Sequence, residues 1–139
     1  MAYVHEKPVT ISEAHLDSFG HLNHARYLEL FEQARWDLIT ERGYGYDVIR
    51  RTGTGPTILE VTIKFLRELG PREAIVIRSE MLSYERKVGK FRQQMIKADG
   101  GVACEAVFTF GLFDVARRKL VDPTPEWAHA IGLDEPALG

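Results

Sequence analysis

Side chains able to do chemistry are densest between His15 and Tyr27, where Asp17, Ser18, His21, Asn23, His24 and Arg26 crowd around Gly20. The stretch is irregular up to Leu22, and from Asn23 the apolar spacing becomes helical, with Asn23 suited to the N-cap. The first N–H groups of a helix have no internal acceptors and carry the positive end of its dipole. A carbonyl oxygen placed there is polarised, and an oxyanion forming on it is stabilised. Asp17, six residues before that cap, would stay ionised beside the positive end and serve as base or nucleophile. Gly20 allows a tight turn between the two. An Asp ahead of a helix also serves as a turn or capping residue, and spacing alone does not choose between these roles.

The elements that must position these groups are readable from periodicity. Arg26, Glu29, Gln33, Asp37 and Thr40 recur at threes and fours and trace a polar helix face. Tyr27, Leu28, Leu30, Phe31, Ala34, Leu38 and Ile39 supply a broad apolar flank, and Gly43 marks the stop. Residues 3–11 alternate loosely and suggest a first strand. Residues 44–55 are glycine-rich and read as a loop or a short helix. Beyond Pro56, Leu59, Val61, Ile63, Phe65 and Leu69 alternate with Glu60, Thr62, Lys64 and Glu68, a strand period that Pro71 ends. Further strands are expected over 74–84, 90–97 and 102–115, with Asp99-Gly100-Gly101 as a hairpin turn. From about residue 123 the chain carries Pro123 and Pro125 and reads as an irregular tail. One long helix with a mostly antiparallel sheet of short connections makes an α+β domain. The last long strand is apolar on both faces, with Phe108, Phe110 and Leu112 on one and Val107 and Phe113 on the other. One helix cannot cover all of that, so self-association is expected.

Composition narrows the function classes. The 139 residues are 45% apolar and 27% charged, enough for one core and an ordinary polar surface. Eighteen Lys plus Arg against twenty Asp plus Glu leave a net charge of −2, without the basic excess that nucleic-acid binding favours. Cys104 is the single cysteine, so no internal disulfide forms. His5, His15 and His129 match no metal-ligand spacing, and no metal is expected. No apolar run approaches the roughly 20 residues of a membrane helix, and the first eight residues lack the apolar core of a secretory signal. The expectation is a soluble, cytoplasmic protein with no nucleic-acid or membrane partner.

The run Asp17-Ser-Phe-Gly20-His21-Leu-Asn23-His24-Ala-Arg26-Tyr27-Leu28, followed by Phe31-Glu32-Gln-Ala34-Arg35, resembles the signature of hotdog-fold acyl-CoA thioesterases of the 4-hydroxybenzoyl-CoA thioesterase type. That signature reads approximately Asp-x-x-Gly-His-Val-Asn-(Asn/His)-Ala-x-Tyr-Leu, with Glu-x-Ala-Arg after it. The resemblance continues through residues 61–67, the Asp99-Gly100 turn and the Pro-rich exit at 117–125, and covers roughly 4–127. It implies a single hotdog domain over 1–139, an antiparallel sheet of about five strands wrapped around one long helix. It further implies hydrolysis of acyl-CoA thioesters, or of acyl carrier protein thioesters, by a homodimer or homotetramer. No cofactor is implied, because CoA is part of the substrate.

Residue by residue, the resemblance makes Asp17 the catalytic carboxylate, attacking the thioester or activating a water. His24 occupies the position whose backbone N–H points at the thioester oxygen, and its imidazole is a candidate to orient the substrate. Gly20 is the turn glycine. Tyr27 is expected at the substrate while packing on the helix flank, and His21 beside it while holding the loop. Lys87, Lys90 and Arg92 fit positions where CoA phosphates rest near strand ends, often with groups from a neighbouring subunit. A second branch of these enzymes uses a helix carboxylate. Since Asp17 already fills the catalytic position, Glu32 is expected to partner Arg35 or a loop amide. Hydratases of the same fold carry an Asp-x-Asn-Pro-like motif that this chain lacks, and a non-catalytic acyl-CoA-binding protein is the remaining alternative.

Overall fold

The computed structural model describes residues 3–133; the outer ends of the expected domain, 1–2 and 134–139, lie outside the described residues. The elements in order are β1 (Val4–Thr10), a 3-10 turn (Glu13–His15), α1 (His24–Glu41), α2 (Tyr46–Thr52), β2 (Thr54–Phe65), β3 (Ala74–Glu85), β4 (Val88–Lys97), β5 (Val102–Asp114), β6 (Lys119–Val121) and α3 (Pro125–Ala130). The sheet runs β1-β3-β4-β5-β2 with β6 added beside β5, every pair antiparallel. The architecture is α+β as expected, with six strands where about five were anticipated and two short helices besides the long one.

The long helix forms as its spacing predicts. The Asn23 side chain accepts from the Ala25 amide, and Tyr27, Phe31, Ala34 and Leu38 come round every three or four residues to the buried side. Gly43 ends it with a left-handed φ of 92°. The buried stripe lies on the sheet face made by Ile75 and Ile77, Phe91 and Met95, and Ala106, Phe108 and Phe110, with Phe31 edge-on to Phe108 at 6.1 Å. Each such apolar side chain contributes about 1.5–3 kcal/mol when removed from water.

Two sequence expectations change. The tail from residue 123 is not irregular over its first part. Thr124 caps α3 by accepting from the Trp127 amide, and Pro125 sits at the helix start, where its missing N–H costs nothing. Trp127 is buried, edge-on to Tyr44 at 5.1 Å and Phe110 at 6.2 Å. Strand β2 also departs from simple alternation. A bulge between Ile58 and Glu60 slips the register, so that Ile58, Val61, Ile63 and Phe65 lie opposite the inward Phe110, Phe108, Ala106 and Cys104. Leu59 is the extra residue and leaves that face.

Helix α1 covers the middle of the sheet and leaves β2 bare: Ile58, Val61 and Phe65 are 41%, 37% and 45% exposed. β2 is also an edge strand. The opposite edge, β1, is shorter and carries Glu6, Lys7 and Pro8, devices that discourage pairing.

Candidate active site

The chain from Ser12 to Asn23 is irregular in outline but held closely by its own backbone. The amides of Leu22 and Asn23 donate to the carbonyls of Leu69 and His15, and the Asp17 amide donates to the His21 carbonyl at 2.8 Å. Gly20 turns the chain with φ 79°, a conformation an L side chain rarely adopts. The Asp17 carboxylate accepts from the Phe19 amide at 2.9 Å and the His21 amide at 3.2 Å. The His21 amide foremost, with the Phe19 amide and the nearby imidazoles, holds this carboxyl below its ordinary range against the opposing pull of desolvation. Asp17 is therefore an anion at neutral pH.

Two residues beyond the cap, the amide of Ala25 is taken by Asn23 Oδ1 at 2.9 Å and that of Arg26 by the Asn23 carbonyl at 2.9 Å. The His24 amide, first in the helix, has no acceptor among the described residues and carries the positive end of α1. The His24 and Tyr27 rings both stand edge-on to Phe65, each 4.9 Å away. Tyr27 is buried, and desolvation pushes its phenol up to about 12. It packs and does not titrate near neutral pH. His21 Nε2 lies 3.2 Å from a Glu68 carboxylate oxygen, so its side chain ties the loop to the segment after β2. Phe19, next but one to Asp17, is 84% exposed, and Phe65 at the end of β2 and Leu66 after it are also exposed.

The structure thus brings Asp17, Gly20, His21, His24 and Tyr27 together. It does not bring Lys87, Lys90 or Arg92 to them within one chain. Phe65 lies opposite Cys104 on β5, whereas Lys90 lies opposite Thr109, roughly 17 Å further along the strand. Lys87 sits in the turn beyond, between β3 and β4. Arg92 points to the sheet face away from α1 and is ion-paired with Glu80 across the β3–β4 ladder. Sequence spacing could not show this, because a β-hairpin's end of the sheet depends on strand order. Nor does Glu32 pair with Arg35: Arg35 instead donates to Gln93 Oε1 at 2.9 Å and lies over the Phe108 ring at 4.3 Å. Phe65 was missed as a site residue, although its place at the end of the alternating run was the available signal. No cluster of three or more His, Cys, Asp or Glu among the described residues could hold a metal. No helix of the described residues is long and apolar enough to cross a membrane.

A long helix laid on an antiparallel sheet is the hotdog architecture. It is shared with the Staphylococcus aureus protein SAV2348 solved in complex with CoA, at a TM-score of 0.87 and 15% identity over 94% of this chain and 83% of that one. Residues 9–131 match the thioesterase-like superfamily, and the chain belongs to it. The long-chain acyl-CoA thioesterase FadM of Escherichia coli is 28% identical over 106 residues, 76% of this chain and 80% of FadM. The chloroplastic acyl-acyl carrier protein thioesterase ATL3 of Arabidopsis thaliana is 28% identical over 81 residues, 58% of this chain and 43% of that protein.

Proposed function

We propose that this protein hydrolyses acyl-CoA thioesters to the free acid and CoA thiol. The observation that carries the reading is the pairing of an ionised Asp17 with a helix-start amide at His24 that has no acceptor of its own. With the thioester oxygen on that amide, negative charge developing on it is stabilised by a donor already in place. Asp17 then either attacks the carbonyl carbon, expelling thiolate and leaving an anhydride for water to open, or takes a proton from a water that attacks in its place. Either way the carbonyl regains its double bond as the C–S bond breaks. In the second route the thiolate takes up the proton that Asp17 drew from the attacking water, and in the first it takes up one released by the water that opens the anhydride. His21 and Gly20 hold the loop, and the Tyr27 and Phe65 rings pack beside His24. No cofactor takes part. The likeness to ATL3 supports acyl carrier protein thioesters as a second substrate class.

The bare apolar edge of β2 supports a homodimer built by pairing two β2 strands antiparallel. In that arrangement the start of one β2 lies against the end of the other. The basic turns of one subunit, with Lys87 and Lys90, then flank the Asp17 end of its partner, where they would hold CoA phosphates. Arg92, already paired, has no part in it. Sedimentation at micromolar concentration is expected to give twice the chain mass; a monomer there would remove the dimer.

The test of the activity is free-thiol release across short, medium, long and aromatic acyl-CoAs, for wild type and Asp17→Asn. Turnover on at least one class, reduced about a hundredfold or more in Asp17→Asn, is expected. Absence of hydrolysis throughout would leave an acyl-CoA-binding protein instead, and full activity in Asp17→Asn would take the chemistry away from Asp17.

A further inference from the structure

Behind the C-terminal half of α1, away from Asp17, lies an apolar cavity of about 120 Å³ whose walls include Trp36, Phe91, Phe108, Phe110 and Trp127. Native interiors rarely leave voids much larger than a water molecule, and about 30 Å³ is a water's share of the liquid. This space would take several methylenes or a small terminal group. Its one inward cation is Arg35. The guanidinium is held from behind by the fully buried Gln93, which donates to the Phe31 carbonyl and to Ser79 Oγ, both at 3.0 Å, while accepting from Arg35 Nη1. No carboxylate lies within 4.0 Å of it among the described residues, and Glu32, exposed on the same wall, acts only from further off. Desolvation pulls the group down to about 10, which leaves it charged at neutral pH. A guanidinium offers five N–H donors in a planar fork, and one of them is used here. Arg35 is half-buried, and among the described residues no anion on the pocket wall faces it apart from the more distant Glu32.

We propose that this cavity receives the distal end of the acyl group and that Arg35 selects acyl groups carrying an acceptor oxygen there, a carboxylate above all. The inference rests on the thioester-hydrolase reading. Pro56 and Ile58 at the start of β2 form part of the cavity wall, and the antiparallel β2 pairing proposed above sets that start against the end of the partner's β2. An acyl chain bound at one subunit's Asp17 therefore runs toward the other subunit's Arg35. An ω-carboxylate arriving there gains a planar, charge-assisted contact, whereas a methyl end leaves the cation unpaired.

The test is calorimetric titration with a non-hydrolysable medium-chain S-alkyl-CoA and with the S-(ω-carboxyalkyl)-CoA of the same length, on wild type, Arg35→Met and Arg35→Lys. Wild type is expected to bind the ω-carboxyl ligand at least about tenfold more tightly. Arg35→Met, which keeps the length and removes the charge, should lose that preference while retaining the alkyl ligand. Arg35→Lys should keep the preference in reduced form, since an ammonium lacks the fork, and it serves if Arg35→Met does not fold. Equal affinity for the two ligands in wild type, or an unchanged preference in the folded variant, would overturn the proposal. Binding needs no turnover, so this result separates from thiol release: the cavity's selectivity can fail while hydrolysis stands, and the reverse.

Discussion

The two ends of α1 handle charge in opposite ways. At its start an anion sits in a loop, with Asp17 bound by two backbone amides. Near its end a cation sits among aromatic rings, with Arg35 bound by one glutamine and burial working against its charge. Backbone amides cost nothing to arrange once the loop has folded, so the anion is stabilised wherever the loop forms. The cation has no such local support. It depends on β4 and β5 being in place beneath it, and on whatever enters the void beside it. An anion of this kind can be held by about a dozen consecutive residues, whereas a cation in this setting needs the assembled core.

That contrast can be broken first at the cavity end. Trp127→Ala removes a buried indole that joins α3 to Tyr44 and Phe110, and is expected to destabilise the fold by about 3–5 kcal/mol, read as a lowered denaturation midpoint. A change below about 1 kcal/mol would mean that α3 is not part of the core. At the other end Asp17→Asn is expected to behave conversely, with thiol release down about a hundredfold and the thermal midpoint close to wild type. A large loss of stability with it would show that the carboxylate holds the loop rather than the chemistry.

The smallest effect is in the pH profile. Asp17 must be ionised to act, and the loop amides depress its pKa. Activity is therefore present above that value and lost as pH falls through it, so the acid limb of kcat/KM should lie below the ordinary Asp value of about 3.9. An acid limb between about pH 5 and 7 would show that the ionisation limiting activity is not that of Asp17.

Much of the site was legible before any coordinates. Asp17, Gly20, His21, Asn23, His24 and Tyr27 are neighbours in sequence, and a helix cap, a turn glycine and an Asx-type carboxylate act over a few residues. The helix itself followed from its spacing, and the hairpin at Asp99 from its turn residues. Pro125 misled, because a proline that breaks a helix interior is welcome at its first position. The bulge at Leu59 could not be seen, since an added residue leaves the local pattern of alternation nearly intact while shifting which side chains face inward.

Lys87, Lys90, Arg92 and Arg35 mark where reading along the chain stops. Each is a basic residue of unremarkable local setting, and its meaning comes from partners far away in sequence. Strand order sends Lys87 and Lys90 to the sheet end opposite Asp17, cross-strand register gives Arg92 to Glu80, and the stacking of α1 on β4 and β5 buries Arg35 against Gln93 and Phe108. The helix, the carboxylate loop and the alternation of the strands depend on torsions and hydrogen bonds among near neighbours, so they can be read along the chain. Which cations are exposed, which are neutralised and which faces an apolar pocket follows from desolvation and Coulomb energies, and those depend on distances that folding alone sets.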